Sequence, residues 1–247
     1  MAGWKLIALD LDGTLLCTDG TVSAANRRAI ERARRAGVEV TIASGRQRWG
    51  LVERLRDELA LTAPFVTANG GQVWSGDGRC LEQHLLAPED VRTLYRLART
   101  YGAYYWTSVA GRQPPPAGLR EDEIDHYAWL KFGYFHEDPR VLAAIWDELA
   151  ALGRFELTNS GPDNIEVNPA GVNKARGLAR VCAEMGIDAS QVVAIGDSLN
   201  DVAMIRWAGK GIAMGNAAPE VKRVADGVTG ACWEDGVAQA IAGLLDA

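Results

Sequence analysis

The feature that most narrows the fold of this chain is an alternation of short apolar runs with helix-patterned stretches, which starts at Leu6, lapses after Ala68 and resumes at Lys174. Leu6 to Leu9 reads as a buried strand, and Ser23 to Ala36 as a helix with a serine N-cap and Gly37 at its end. Val38 to Ala43 is the second strand. Leu51, Val52, Leu55 and Leu59 then recur at helical spacing, and Pro64 introduces a third strand, Phe65 to Ala68. Strands linked through helices in this way predict a parallel sheet. After the lapse come a helix from Lys174 to Met185 stopped by Gly186, the strand Val192 to Ile195, and a helix through Met204 and Ile205. A short strand, Ile212 to Met214, and a closing helix, Val237 to Leu245, complete the pattern. The expectation is an α/β fold with a doubly wound, Rossmann-like parallel-sheet core carried by two separate stretches of sequence.

The intervening stretch is patterned differently. Tyr101 to Thr107 and His126 to Phe135 are aromatic-rich and strand-like, separated by the breaker Pro114-Pro115-Pro116. Val141 to Leu152 is an amphipathic helix, and Phe155 to Thr158 and Ile165 to Val167 are short strands. The predicted division is core over residues 1–82, an inserted α+β domain over 83–169, and core again over 170–247.

With 247 residues, the chain accommodates either one large domain or a core with an insert. A hydrophobic fraction of 48% against 23% charged residues excludes a disordered chain. The net charge of -6 speaks against nucleic acid as a partner, since no basic stripe offsets it. Leu6 to Leu9 is too short, and too soon followed by acid, for a signal peptide or a membrane span, so a cytoplasmic protein with no membrane partner is expected. Cys17, Cys80, Cys182 and Cys232 are scattered, which suggests neither a disulfide framework nor a zinc site and fits a reducing compartment. Oligomeric state has no sequence signature here.

Chemistry-bearing residues sit where the predicted strands end. Asp10 and Asp12, in Asp10-Leu11-Asp12-Gly13-Thr14, follow the first strand at the carboxyl edge where open α/β sheets bind ligands. Two carboxylates so close imply a shared cation or proton; the plain alternative is an Asp- and Gly-rich turn. Asp197 and Asp201, in Gly196-Asp197-Ser198-Leu199-Asn200-Asp201, follow the late strand and offer hard oxygen ligands suited to magnesium, or else cap the next helix. Ser44-Gly45-Arg46 closes the second strand with a hydroxyl and amides suited to phosphate. Lys174 opens a helix, where the dipole disfavours a cation unless an anion lies near; a solvated lysine is the alternative. A nucleophile, an acid–base group, a metal site and a cation with donors are the parts phosphoryl transfer needs together.

With these motifs in this order, the chain resembles the haloacid dehalogenase superfamily, and most closely its Cof-type phosphatases, through Ala68-Asn69-Gly70-Gly71, Asn168-Pro169-Ala170-Gly171-Val172-Asn173-Lys174, and Gly209 to Ala217 with Pro219-Glu220-Val221-Lys222. The position of the insert after the third strand implies a type IIB cap over the active site. Gly71 and Ala175 depart mildly from the family pattern. The resemblance implies an aspartyl-phosphate mechanism in which Asp10 attacks phosphorus, while Asp12 protonates the leaving alcohol and later deprotonates water. It also implies Mg2+ bound by the carboxylates of Asp10 and Asp197 and the backbone carbonyl of Asp12, with Asp201 orienting that shell. Ser44, Lys174 and Asn200 would then contact phosphate, and Asn69 and Gly70 would lie on the substrate side.

The expected function is hydrolysis of a small phosphorylated metabolite, with a sugar phosphate first. A phosphorylated cofactor such as pyridoxal phosphate or flavin mononucleotide, or a phosphomutase or phosphotransferase reaction, are the alternatives; a non-enzymatic receiver module is a remote one. Tyr105, Trp106, Tyr127 and Trp129 are candidates for stacking on a substrate ring, though strand spacing favours packing within the sheet.

Overall fold

The computed structural model describes residues 3–111 and 119–246. The predicted breaker Pro114-Pro115-Pro116 lies outside the described residues. The first core segment carries β1 (Leu6–Leu9), α1 (Ala24–Arg35), β2 (Glu39–Ile42), α2 (Glu53–Glu58) and β3 (Phe65–Thr67). Every residue of β1 is buried, as a central parallel strand covered on both faces requires. Ser23 caps α1 as its side chain predicts, its Oγ accepting from Asn26 N at 3.1 Å. A distorted turn over Arg48–Val52, with Gly50 at φ 93°, precedes α2.

One part of this segment departs from the expected pattern. Strand β3 meets the parallel sheet only through the Ala43–Val66 bridge. It also opens an antiparallel meander with β4 (Gln72–Trp74) and β5 (Cys80–Gln83). These three-to-four-residue strands are too short to carry a periodic signal.

The inserted stretch contains α3 (Pro88–Tyr101), β6 (Tyr104–Val109), β7 (Trp129–Phe135), α4 (Pro139–Leu152), β8 (Phe155–Thr158) and β9 (Asn164–Pro169). Its sheet is antiparallel, in the order β6-β7-β9-β8. Val91, Leu94, Leu142 and Ile145 from the helices pack with Trp129, Phe132 and Tyr134 into a hydrophobic cluster separate from that of the parallel sheet. The strand expected from Tyr101 starts three residues later, because Tyr101 ends α3 and Gly102 caps it at φ 65°. Similarly, residues 121–126 form a tight helical turn, and β7 begins at Trp129 rather than His126. Helix α3 was legible in principle from Val91, Leu94 and Ala98 behind Pro88, but its charged and hydroxylated neighbours mask the stripe.

The second core segment supplies α5 (Lys174–Met185), β10 (Val192–Gly196), α6 (Val202–Trp207), β11 (Lys210–Ala213), α7 (Pro219–Val224), β12 (Gly227–Val228) and α8 (Gly236–Leu245). The five-stranded sheet has the order β12-β11-β10-β1-β2 and is parallel throughout. Residues 186 positions apart in sequence thus become neighbours, with Leu9 paired to Ile195. No helix among the described residues is long and apolar enough to cross a membrane.

The cysteine expectation is corrected. Cys17 and Cys232, 215 positions apart in sequence, are joined in a disulfide, with Cα atoms 5.6 Å apart. No local spacing can reveal such a pair: only the closure of the split core lays the turn after β1 beside the turn before α8. Cys80 and Cys182 are free thiols.

Candidate active site

The first two catalytic candidates leave β1 directly. Asp10 N donates to Ile195 O at 3.0 Å, which fixes the start of the loop against β10. Bonds from Gly13 N to Leu16 O and from Leu16 N to Leu11 O, both 2.8 Å, fold the loop into a compact turn. Gly13 sits at φ +80°, and a Cβ there would lie 2.3 Å from Asp197 Oδ2. Glycine is required both for the backbone conformation and for the approach of the two strand ends.

On the neighbouring strand end, Asp201 folds back over Gly196. Its Oδ2 accepts from the amides of Asp197 and Ser198 at 2.9 and 3.0 Å, and Thr14 Oγ1 donates to Asp197 Oδ1 at 3.2 Å. Lys174, the first residue of α5, is fully buried and donates to Asp10 Oδ1 and Asp201 Oδ1, each at 2.6 Å. Its place at a helix start is thereby explained by anions, as the dipole argument required.

Asp10, Asp197 and Asp201 each bring a carboxylate oxygen within 4.8 Å of the others. Burial pushes Asp10 well above the usual carboxylate range, and the charge of Asp201 adds to this against the pull of Lys174. Burial and Asp201 likewise raise Asp197 to about 6. Burial alone would depress the Lys174 ammonium, but Asp10 and Asp201 outweigh it and hold the proton more tightly than usual. Three carboxylates around one ammonium leave surplus negative charge among hard oxygen donors, an arrangement that fits a divalent cation. Asp201, expected outside the metal's immediate ligands, has both oxygens engaged by Lys174 and the two amides.

Asp12 stands apart from this cluster. Its carboxylate, half exposed, receives a two-point clamp from Arg46, with Nε to Oδ2 and Nη2 to Oδ1 both at 2.7 Å. That hydrogen bonding raises the Arg46 guanidinium above its ordinary value. Ser44 is buried, its Oγ accepting from Arg46 N at 3.1 Å. Asn200 Nδ2 approaches Asn69 Oδ1 at 3.5 Å. Gly70 has a packing role: at φ +98°, a Cβ would fall 2.2 Å from Asn173 O, in the turn that delivers Lys174.

A cavity of about 530 Å³ opens above these residues, and Asp10, Asp12, Arg46 and Asn200 form part of its wall. The antiparallel sheet supplies the other side. Along β6 and β7, alternate residues face opposite ways. Tyr105 stacks on Phe132 at 5.3 Å and Tyr127 packs on Trp129 at 5.3 Å, both on the helix-covered side. Trp106, by contrast, lines the cavity, opposite Gly133, where a Cβ would fall 2.2 Å from the indole. Lys131 and Glu166, buried and paired at 2.9 Å, line it too. Lys131 also donates to Gly45 O at 2.9 Å, and Asn69 Nδ2 donates to Glu166 Oε2 at 2.6 Å, so the pair spans from the antiparallel sheet to two loops of the core.

Sequence reading assigned no role to Arg46, Lys131 or Glu166. For the last two a signal existed: charged residues at inward positions of strands that are otherwise apolar.

Residues 7–112 and 116–241 match the family model for haloacid dehalogenase-like hydrolases. A 5-amino-6-(5-phospho-D-ribitylamino)uracil phosphatase of Bacillus subtilis is 41% identical over 237 residues, covering 96% of this chain and 94% of that protein. A phosphoglycolate phosphatase of Methanopyrus kandleri is 32% identical over 247 residues, covering 98% and 97%. Among solved structures, a sugar phosphatase of subclass IIB of the superfamily superposes with a TM-score of 0.86 over 97% of this chain and 98% of that one, at 22% identity, which establishes the shared fold. The buried lysine among carboxylates at adjoining strand ends, the antiparallel lid sheet and these similarities agree: the chain belongs to the haloacid dehalogenase-like hydrolases, of the Cof type, and is a phosphatase.

Proposed function

We propose that the protein is a magnesium-dependent phosphomonoester hydrolase that forms an aspartyl phosphate on Asp10 and acts on a small cytoplasmic metabolite. The observation that carries this reading is the seat of Asp10, buried at a strand end with one oxygen held by Lys174 at 2.6 Å and beside two further carboxylates. With Oδ1 so held, Oδ2 attacks phosphorus and the bond from phosphorus to the ester oxygen breaks. Asp12 gives its proton to the departing alkoxide and afterwards takes one from the water that cleaves the acyl phosphate. Arg46 keeps Asp12 at the cavity wall. Lys174, Ser44 and Asn200 are assigned to the phosphoryl oxygens. Magnesium, held by Asp10, Asp197 and the Asp12 carbonyl, would offset the negative charge of the substrate.

Residues 83–169 are assigned as the lid, with core on either side. For the substrate, a phosphosugar remains the first reading. A phosphorylated polyol attached to a planar ring is the second, favoured by the 41% identity to the ribitylaminouracil phosphatase and by Trp106 in the cavity wall. A phosphate-release screen over phosphosugars, nucleotides and phosphorylated cofactors tests both. Excess chelator should abolish turnover, and magnesium but not calcium should restore it, since the larger ion relaxes the coordination. Full activity in chelator would refute the metal assignment.

A further inference from the structure

The two relatives act, by name, on substrates whose leaving groups differ in charge, and the charges around the cavity favour one of them. Beyond the Asp10 cluster, its charged wall residues among those described are Asp12, Arg46, Lys131 and Glu166. They form two closed pairs, Arg46 with Asp12 and Lys131 with Glu166. While each cation is paired in this way, a carboxylate on the leaving group would give up water at this wall with no uncommitted cation to receive it, which is costly.

Neutral oxygens meet a better reception. An ammonium has three donors, and among the described residues Lys131, which lines the cavity, uses one on Gly45 O and one on Glu166 Oε1 and has no acceptor for the third. Ser108 and Ser160 add hydroxyls to the same wall. Ser160 Oγ already donates to Glu166 Oε1 at 3.3 Å, so Glu166 accepts from Lys131, Ser160 and Asn69 together. Burial pushes Glu166 up, but the ammonium of Lys131 and the hydrogen bonds from Lys131 and Asn69 outweigh it and hold the carboxyl below its ordinary value. The pair thus stays charged on both sides and neutral in sum.

Resting on the phosphatase reading, we propose that Lys131 and Glu166 determine specificity, selecting a neutral, hydroxyl-bearing leaving group and rejecting one that carries a carboxylate. The pair matters through its balance. With Glu166 neutralised, Lys131 becomes an uncommitted cation that welcomes an anion; with Lys131 neutralised, Glu166 becomes an anion that repels it.

The test compares ribitol 5-phosphate with 5-phosphoribonate, which differ only in a terminal hydroxymethyl or carboxylate. The readout is the ratio of their kcat/KM values, which is insensitive to the fraction of enzyme folded. The wild type should favour ribitol 5-phosphate by about tenfold or more, Glu166→Gln should shift the ratio about tenfold toward 5-phosphoribonate, and Lys131→Gln should shift it the other way, each tenfold being about 1.4 kcal/mol. A wild type that releases phosphate from an aryl phosphate yet treats the pair equally or prefers 5-phosphoribonate overturns the inference. So do variants that move the ratio in the same direction. A wild type inactive on the aryl phosphate, with magnesium present, overturns the phosphatase reading itself.

Discussion

Replacing Lys174 by Met removes the one cation buried among three carboxylates while keeping most of the side-chain volume. Lys174 is completely buried, and its two ion-pair contacts are both 2.6 Å, so no solvent takes its place at Asp10 or Asp201. Breaking a buried pair by removing one partner costs about 3–5 kcal/mol. For a chain of this size each kcal/mol lowers Tm by about 2–4 °C, so a fall of roughly 6–20 °C is expected in chelator. The loss should depend on pH in a defined sense. Asp197 already stands at about 6 with Lys174 present, and without the ammonium the buried carboxyls move further above their unfolded values. Groups with raised folded pKa contribute stability that is present below the unfolded pKa and lost as pH rises through the folded one. The variant should therefore lose more at pH 7.5 than at pH 5, as read by urea unfolding followed by circular dichroism. Adding Asp201→Asn should recover part of the loss, because it removes one stranded charge. A loss below about 1 kcal/mol at pH 7.5, or equal losses at the two pH values, would refute the charge accounting, since even a single uncompensated buried ion costs more than that.

Gly13→Ala places a Cβ 2.3 Å from Asp197 Oδ2 at a φ of +80°; a cost of about 1–3 kcal/mol is expected, with weakened magnesium binding by calorimetry, and unaltered affinity would count against the role given to Asp197. Asp12→Asn should lower kcat on an alkyl phosphate by about 10²–10⁴-fold but less on an activated aryl phosphate, whose leaving group needs little protonation; equal losses would remove the acid role from Asp12. Glu166 lies below its ordinary pKa, so its contribution is present above about 4.5 and lost as pH falls through the folded value. The Tm gap between wild type and Glu166→Gln should accordingly close in acid, and a gap that is constant with pH would contradict the pairing with Lys131.

The parallel core was legible because its signals are local. Four consecutive apolar residues in β1, a serine cap on α1 and a glycine stop after α5 each belong to one short window. Strands β4 and β5 were not, since three or four residues paired antiparallel depend on partners more than on pattern. At the site the same division holds. Asp10, Asp12, Lys174 and Asp197 stand at strand or helix ends that sequence could place, and the structure gathers Asp10, Lys174 and Asp197 with Asp201. The task of Arg46 is not legible in its motif, because it is a contact with a residue 34 positions away. The Cys17–Cys232 bond and the Lys131–Glu166 pair are tertiary in the same way.

That the site is tertiary bears on how a cation would act on the fold. Asp10 comes from the first core segment, while Lys174, Asp197 and Asp201 come from the second, and the Lys174–Asp10 contact spans 164 positions. An unfolded chain does not gather these oxygens, so a divalent cation would bind the folded state alone and stabilise it by mass action, by about 2.7 kcal/mol at a concentration one hundred times Kd. Three carboxylates face one ammonium here, and two of them, Asp10 and Asp197, are pushed above their ordinary values by burial and by Asp201. The surplus charge that makes these strand ends costly to bring together would also draw a divalent cation in, which would couple assembly of the split sheet to formation of a competent site.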